Sequence, residues 1–270
     1  MSELLIKPQA ADEDGCVHRI TPASAGWQYV GFAEYRLDDG DVLAFEADDL
    51  ERCLVIVSGF ADMAAGGENF ANLGEREHVS EHIKPVSLYV PSGVSAHVVA
   101  RGELTLAVCS APGGEAGAYP VRLIAGDDVG YSLRGEGSNT RHIYDILPDR
   151  VDWAHSLLVV EVRTPAGNWS SYPPHRHDED DLPNQSLLEE TYYHRIFPEQ
   201  GFAFQRVYTD DHGLDETLAI HDGDVVLVPR GYHPYGVPHG YEGYYLNVMA
   251  GPTRKWVFHN HPHHDWLITP

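Results

Sequence analysis

The sequence predicts an all-β fold, and three observations carry that prediction. Short runs rich in Val, Ile, Leu and Tyr are split by Gly, Pro, Asp and Asn nearly throughout. No long stretch keeps the 3.6-residue apolar period of a helix. A Gly-Asp turn, a buried strand and a Pro-x-Gly turn followed by histidine occur twice in related form. Together these point to antiparallel sandwiches or barrels, with function on interior or rim residues.

The strand-like runs fall at residues 54–58, 88–90, 104–108, 157–162, 225–228 and 244–249. In the first half, Asp39-Gly40-Asp41 opens a strand, Ser58-Gly59 closes one, and Pro91-Ser92-Gly93 precedes His97. In the second half, Asp222-Gly223-Asp224 leads through residues 225–228 into Pro229-Arg230-Gly231-Tyr232-His233. Duplicated β-barrels account for the echo. The expected boundary lies at residues 147–152, where Pro148 and Asp149 interrupt the apolar pattern. That gives an N-terminal barrel over 1–147 and a C-terminal barrel over 148–270.

Composition narrows the function. The chain has 270 residues and a formal net charge of -23. Such a surface repels phosphate backbones and anionic headgroups, so nucleic acid and membrane partners are not expected. An anionic substrate would need local positive charge, from a divalent metal and a few placed arginines. Cys16, Cys53 and Cys109 form neither a CxxC pair nor a disulfide framework, which points to a reducing compartment. Residues 1–10 show no apolar core behind a basic start, so no secretory leader is expected.

The segment Tyr172-Pro173-Pro174-His175-Arg176-His177 is the most informative. In a strand, residues i and i+2 share a face, so His175 and His177 aim two imidazoles at one point. Glu190 follows an acidic loop and opens Thr191-Tyr192-Tyr193, the next strand-like run. His233 sits just past the Pro229-x-Gly231 turn. Three imidazoles and a carboxylate suit one divalent ion of Mn, Fe, Ni, Co or Zn and leave coordination positions open for catalysis. Glu189 is the competing carboxylate. A His-x-His alone is weak evidence among 17 histidines; the glutamate, the turn and the all-strand setting strengthen it.

These residues resemble the cupin superfamily, the double-stranded β-helix, whose first motif is His-x-His with a following Glu. Its second is Gly-x5-Pro-x-Gly with a following His, matched here by Gly223 to Gly231. The gap from His177 to Glu190 is longer than usual in cupins, and His233 follows Gly231 by one residue fewer. Within cupins, residues 165–178, Leu188-Glu-Glu-Thr-Tyr-Tyr193, Gly231-Tyr-His-Pro234 and residues 244–252 resemble the 5-deoxy-glucuronate isomerases of inositol catabolism. In that family the long gap after His177 is normal. The resemblance is strong over 130–270 and looser before it. It implies a bicupin in a bacterial cytoplasm, with the metal in the C-terminal barrel. The N-terminal barrel, lacking any His-x-His, is then structural and a possible surface for homo-oligomerisation.

The resemblance also implies a reaction: conversion of 5-deoxy-D-glucuronate, an aldehyde sugar acid, to 5-dehydro-2-deoxy-D-gluconate, a ketone. Proton carriers near the ligands are Tyr192, Tyr245 and His194, each tyrosine equally readable as a packed barrel residue. The substrate carboxylate calls for a guanidinium, with Arg141 first, then Arg206 and Arg254. The tail His259-Asn-His-Pro-His-His264 is expected to be solvated or to cover the pocket rather than to hold a second metal. Trp256 and Trp266 are expected to tie it to the body. Alternatives are a 4-deoxy-5-keto-uronate isomerase, a cupin dioxygenase, and a non-catalytic sugar-binding cupin. A sensor of the last kind normally carries a basic DNA-binding segment, which this acidic chain lacks.

Overall fold

The computed structural model describes residues 2–268. The protein has a cupin-type all-β architecture, with one short helix, Pro22–Ala25, and three 3-10 turns among the described residues. Among the described residues, no helix is long and apolar enough to cross a membrane.

The chain forms two compact units, but not by a single cut near 147. One unit takes the N-terminal stretch to Pro8, Tyr131–Asp145 and everything from Val160; the other takes Gln9–Gly130 and Ile146–Val159. The difference has a physical origin in strand pairing. Leu5–Ile6 pairs with Val226 and Val225, far along the chain. Gly130–Arg134 and Arg141–Leu147 extend the sheet that contains Leu158–Thr164. The breakers Pro148 and Asp149 mark a turn between strands. Backbone hydrogen bonds, not local composition, decide which unit a strand joins.

In the unit containing residues 9–130, one eight-stranded sheet bends around its own core. Two long strands, Leu50–Ala65 and Ala96–Pro112, pair along most of their length. The register shifts around Gly59, which adopts φ +91, and an added Cβ there would lie 2.1 Å from the Glu103 carbonyl oxygen. Only glycine permits this bend. Every second residue then turns inward, giving a dry cluster that includes Leu54, Ile56, Leu88, Val98 and Leu106. His97 is exposed on the opposite face.

A buried carboxylate fixes the returning chain in this unit. Glu51 accepts the backbone N–H groups of His155 (2.9 Å), Ser156 (2.6 Å) and Leu157 (2.6 Å) and the Tyr89 hydroxyl (2.6 Å). Four donors satisfy one charge that burial would otherwise make costly.

The other unit is a sandwich. A seven-stranded sheet runs in the order Leu5–Ile6, Val225–Val228, Glu189–Phe197, Glu242–Ala250, Leu158–Thr164, Arg141–Leu147, Gly130–Arg134. A four-stranded sheet joins Trp169–Ser170, Tyr235–Gly236, Ala203–Tyr208 and Asp215–Ile220. Both contribute to one apolar cluster, including Val160, Val162, Ile196 and Val226 from the first sheet and Val207, Leu218 and Tyr235 from the second. At the Glu190 end, the inner face of the seven-stranded sheet is covered instead by the segment 171–175 and the C-terminal tail, and a cavity lies between them.

Replacing Glu51 by alanine would orphan three backbone N–H groups and the Tyr89 hydroxyl. The expected loss of stability is about 3–5 kcal/mol, with Glu51→Gln falling between the variant and the natural chain. Urea unfolding midpoints at unchanged m-value check this.

Candidate metal centre

Local sequence brings each candidate ligand to the site by a different route. His175 lies on the two-residue strand His175–Arg176, which pairs with His259–Asn260 of the tail. His177 lies just past that strand, so the two histidines do not share one regular strand as expected. The long gap to Glu190 is a β-hairpin: Asp178 pairs with Leu187 and Asp181 with Gln185. It returns the chain beside His177, where the Leu188 N–H donates to the His177 carbonyl at 2.8 Å. His233 follows Gly231, which adopts φ +88 and whose N–H donates to Asp178 Oδ2 at 2.8 Å. A Cβ on Gly231 would sit 2.4 Å from the Tyr208 carbonyl oxygen.

The imidazoles converge. One nitrogen from each of His175, His177 and His233 lies within 4.8 Å of the other two. His177 Nε2 is 3.0 Å and His233 Nε2 3.2 Å from the same oxygen, Glu190 Oε2. Backbone carbonyls take the remaining ring N–H groups: His177 Nδ1 donates to Leu188 at 3.1 Å, His233 Nδ1 to Gly231 at 2.9 Å, and His175 bonds to Pro173. Such bonds fix the tautomer and turn the other nitrogen toward the centre. His233 Nε2 is buried with no hydrogen-bond partner.

The electrostatics agree. Burial disfavours a charged Glu190, yet His233 and His177 outweigh it, with hydrogen bonds from His177 and Asn247, and hold the carboxyl at about 2. Burial also lowers His175 and His233, the latter against the opposing pull of Glu190. At His177 the same carboxylate overcomes burial and raises the group. Asn247 donates a short hydrogen bond to Glu190 Oε1, leaving Oε2 for the histidines. A buried carboxylate, three backbone-oriented imidazoles and an unpartnered ring nitrogen fit a divalent metal ion. Glu189 is the neighbour on the strand, and alternation turns it to the other face.

A cavity of about 250 Å³ opens from this cluster. Arg141 lines it, seated over Gly135, with Nη1 held by the Asn139 carbonyl at 3.1 Å. Burial lowers its pKa below that of free arginine; Tyr245 opposes the shift and Arg134 adds to it. Tyr192 and Tyr245 also line the cavity, bridged by the Ser171 hydroxyl at 3.1 and 3.4 Å. Burial raises both phenols above their ordinary value, Tyr192 strongly.

Other expected residues lie elsewhere. Arg206 is bound bidentately by Asp215, at 2.8 Å for each contact, and its guanidinium lies over the Tyr208 ring. It does not line the cavity. His194 is buried beyond it, stacked on Tyr192 and Tyr235 and bonded to Gln205 at 3.2 Å. Burial pushes it down to about 3, so it is neutral. The tail covers the cavity, with Trp256, Phe258, Asn260 and Ile268 in its wall. Trp256 packs on the core cluster, whereas Trp266 is 70% exposed and ties down nothing. Among the described residues, His175, His177 and His233 form the one group positioned for a metal, and the tail histidines form none.

Residues 4–267 match the KduI/IolB family. The chain belongs to that family. Its curated relatives include the 5-deoxy-glucuronate isomerase of Geobacillus thermodenitrificans, 54% identical over 268 residues and covering 99% of this chain and 97% of the relative. The protein of the same name from Bacillus subtilis is 46% identical over 271 residues, covering 99% of each. An IolB-like protein from Salmonella typhimurium LT2 superposes with a TM-score of 0.95 at 48% identity, over 98% of this chain and 99% of that one. Oxalate decarboxylase from Lactobacillus farciminis, at 12% identity and a TM-score of 0.66 over 96% of this chain and 89% of that one, shares the fold alone.

Sequence reasoning missed Asn247, Ser171 and Arg134. Asn247 carried a signal, a lone amide inside the apolar run 244–249. Ser171 carried none: its φ of +49 appears only in three dimensions.

Replacing both His175 and His177 by alanine should abolish stoichiometric metal binding, read by elemental analysis of purified protein. Asn247→Leu should keep the ligands but free Glu190 to rotate, weakening metal affinity by roughly ten- to a hundredfold in a chelator competition. Unchanged affinity would remove Asn247 from the centre.

Proposed function

We propose that this protein is a metal-dependent aldose–ketose isomerase that converts 5-deoxy-D-glucuronate to 5-dehydro-2-deoxy-D-gluconate. The observation that carries the reading is one cavity with the metal cluster at one end and Arg141 at the other. The names of the curated relatives support the substrate. His175, His177, His233 and Glu190 would hold one divalent ion. When bound, such an ion supplies Lewis acidity to a carbonyl and acidifies a neighbouring hydroxyl.

The chain's own residues do the rest. The carboxylate lies at the far end of a six-carbon chain from the aldehyde, so it needs a separate cation. Arg141 offers a desolvated guanidinium, and the cavity inverts the charge of the protein. The chain has 41 acidic and 18 basic residues, yet the cavity wall holds Arg134, Arg141 and a single carboxylate, Glu190. Tyr192 and Tyr245 keep their protons at neutral pH and donate hydrogen bonds to substrate oxygens. Ser171 holds the two phenols in register. The tail aromatics Trp256 and Phe258 exclude water from the reacting end.

Overall, C1 is reduced and C2 oxidised within one molecule, and no external electron carrier is required. The C2–H bond breaks, a C1–H bond forms, the C2 hydroxyl loses its proton and the C1 oxygen gains one. Among the described residues lining the cavity, no carboxylate or imidazole stands outside the proposed ligand set. That favours direct transfer of hydrogen from C2 to C1 over abstraction by a side-chain base.

Turnover of 5-deoxy-D-glucuronate by metal-loaded protein, followed by NMR, tests the activity; chelation should abolish it and metal restore it. In D2O, the product should carry no deuterium at C1. One deuterium per turnover would instead establish abstraction by a base. Arg141→Ala should lower kcat/KM by roughly ten- to a hundredfold, the worth of a charge-assisted bond of about 1.5–3 kcal/mol. Arg141→Lys should recover only part, since it lacks the planar fork.

A further inference from the structure

The seven-stranded sheet orders the cavity wall by chemistry. Strand alternation turns every second residue inward. Reading across the sheet, Glu189–Phe197 presents Glu190 and Tyr192, and Glu242–Ala250 presents Asn247 and Tyr245. Leu158–Thr164 then presents Val160 and Val162, and Arg141–Leu147 presents Ile143 and Arg141. The order is metal ligand, hydrogen-bonding groups, aliphatic groups, guanidinium. Ile143, two residues from Arg141 on the same strand, stands on its inward face beside it. Val160 and Val162 belong to the apolar core cluster and still line the cavity.

An elongated ligand lying across these strands meets the same order. Its oxygens are served at the metal end and by Tyr192, Tyr245 and Asn247. Its carboxylate is served by Arg141. Between them, Val160, Val162 and Ile143 offer no hydrogen-bonding side-chain atom. A hydroxyl carried next to the carboxylate would lose its water there and gain no partner, which costs free energy. A methylene at the same place would lose nothing.

We infer that Ile143, Val160 and Val162 determine specificity, selecting a sugar acid whose carbon adjacent to the carboxylate carries no hydroxyl. The inference rests on the isomerase reading for the direction in which the substrate lies. It goes beyond it in assigning discrimination between a 5-deoxy-uronate and an ordinary uronate to named side chains. An apolar wall rejects an added hydroxyl only modestly, by about a hundredfold at most. Val→Thr or Ile→Thr at this band supplies the missing partner with little change of shape.

The test is binding, so that it does not depend on turnover. The probes are the C1-reduced alcohols of 5-deoxy-D-glucuronate and of D-glucuronate, neither of which can isomerise. Calorimetry on metal-loaded protein should give roughly ten- to a hundredfold tighter binding of the 5-deoxy acid. Val162→Thr, and separately Ile143→Thr, should bring that ratio about tenfold closer to one. Arg141→Ala should weaken both acids alike and leave the ratio unchanged. Equal affinities in the natural protein would overturn the inference while leaving the isomerase reading intact. An unchanged ratio in both threonine variants, with the 5-deoxy acid still bound, would also overturn it. If neither acid binds the natural protein, both readings fall. If the preference appears but 5-deoxy-D-glucuronate is not turned over, the isomerase reading falls and the specificity assignment stands.

Discussion

Glu190 is a carboxylate with only 1% of its surface exposed, on an interior strand of an apolar sandwich. An unpaired charge there would cost several kcal/mol. Its neighbourhood is organised to prevent that. Asn247 holds one oxygen from the adjacent strand, and His177 and His233 face the other. The histidines are in turn held by the carbonyls of Leu188 and Gly231. The hairpin after His177 and the left-handed glycine before His233 therefore serve one requirement, the aim of two nitrogens at one oxygen. A divalent ion would be met by this oxygen together with the imidazoles of His175, His177 and His233.

The second constraint is the pleat. A sheet can place chemistry across a cavity only in strand order, because neighbours are spaced by the hydrogen-bond ladder at about 4.8 Å. The sandwich uses this to separate functions that would interfere if mixed. Two strands of the sheet separate Arg141 from Glu190, so the guanidinium does not compete with the imidazoles for that carboxylate. The phenols lie between, where burial keeps them protonated. The tail lies over the open side through a two-residue pairing with the strand of His175, so the placement of that imidazole and the cover of the pocket share the same backbone hydrogen bonds.

The unit built on residues 9–130 follows the same strand rules with a different interior. Its inward face is aliphatic, and its one exposed motif histidine, His97, points away from that core. One of its buried carboxylates, Glu51, is saturated by backbone donors and a phenol. A carboxylate with every lone pair committed cannot also bind a ligand. Glu190 differs in that its partners at one oxygen are imidazoles, which could share a cation with it.

The sequence by itself determined what local periodicity and turn chemistry control. Alternating apolar runs specify strands, and the spacing of His175 and His177 and the turn at Pro229 to Gly231 place imidazoles near one another. Those signals involve residues a few positions apart, so they survive in one dimension. Tertiary structure decided everything that depends on partners far along the chain. Arg141 and Arg206 look alike in sequence, yet Asp215 binds one across a strand pair while the other faces a cavity whose described carboxylate, Glu190, stands on a strand separated from its own by two others. Tyr192 and His194 share a face of one strand, but only the first reaches the cavity, because His194 is covered by Tyr235. Asn247 meets Glu190 across 57 residues of chain. Val160 and Val162 read as core in any sequence pattern, and only the placement of the segment 171–175 and the tail over the sheet makes them the wall of a cavity. The unit boundaries were likewise settled by pairing, since Leu5–Ile6 joins a strand more than two hundred positions away. Side-chain type is a local property, whereas burial, charge pairing and strand order are properties of the folded chain.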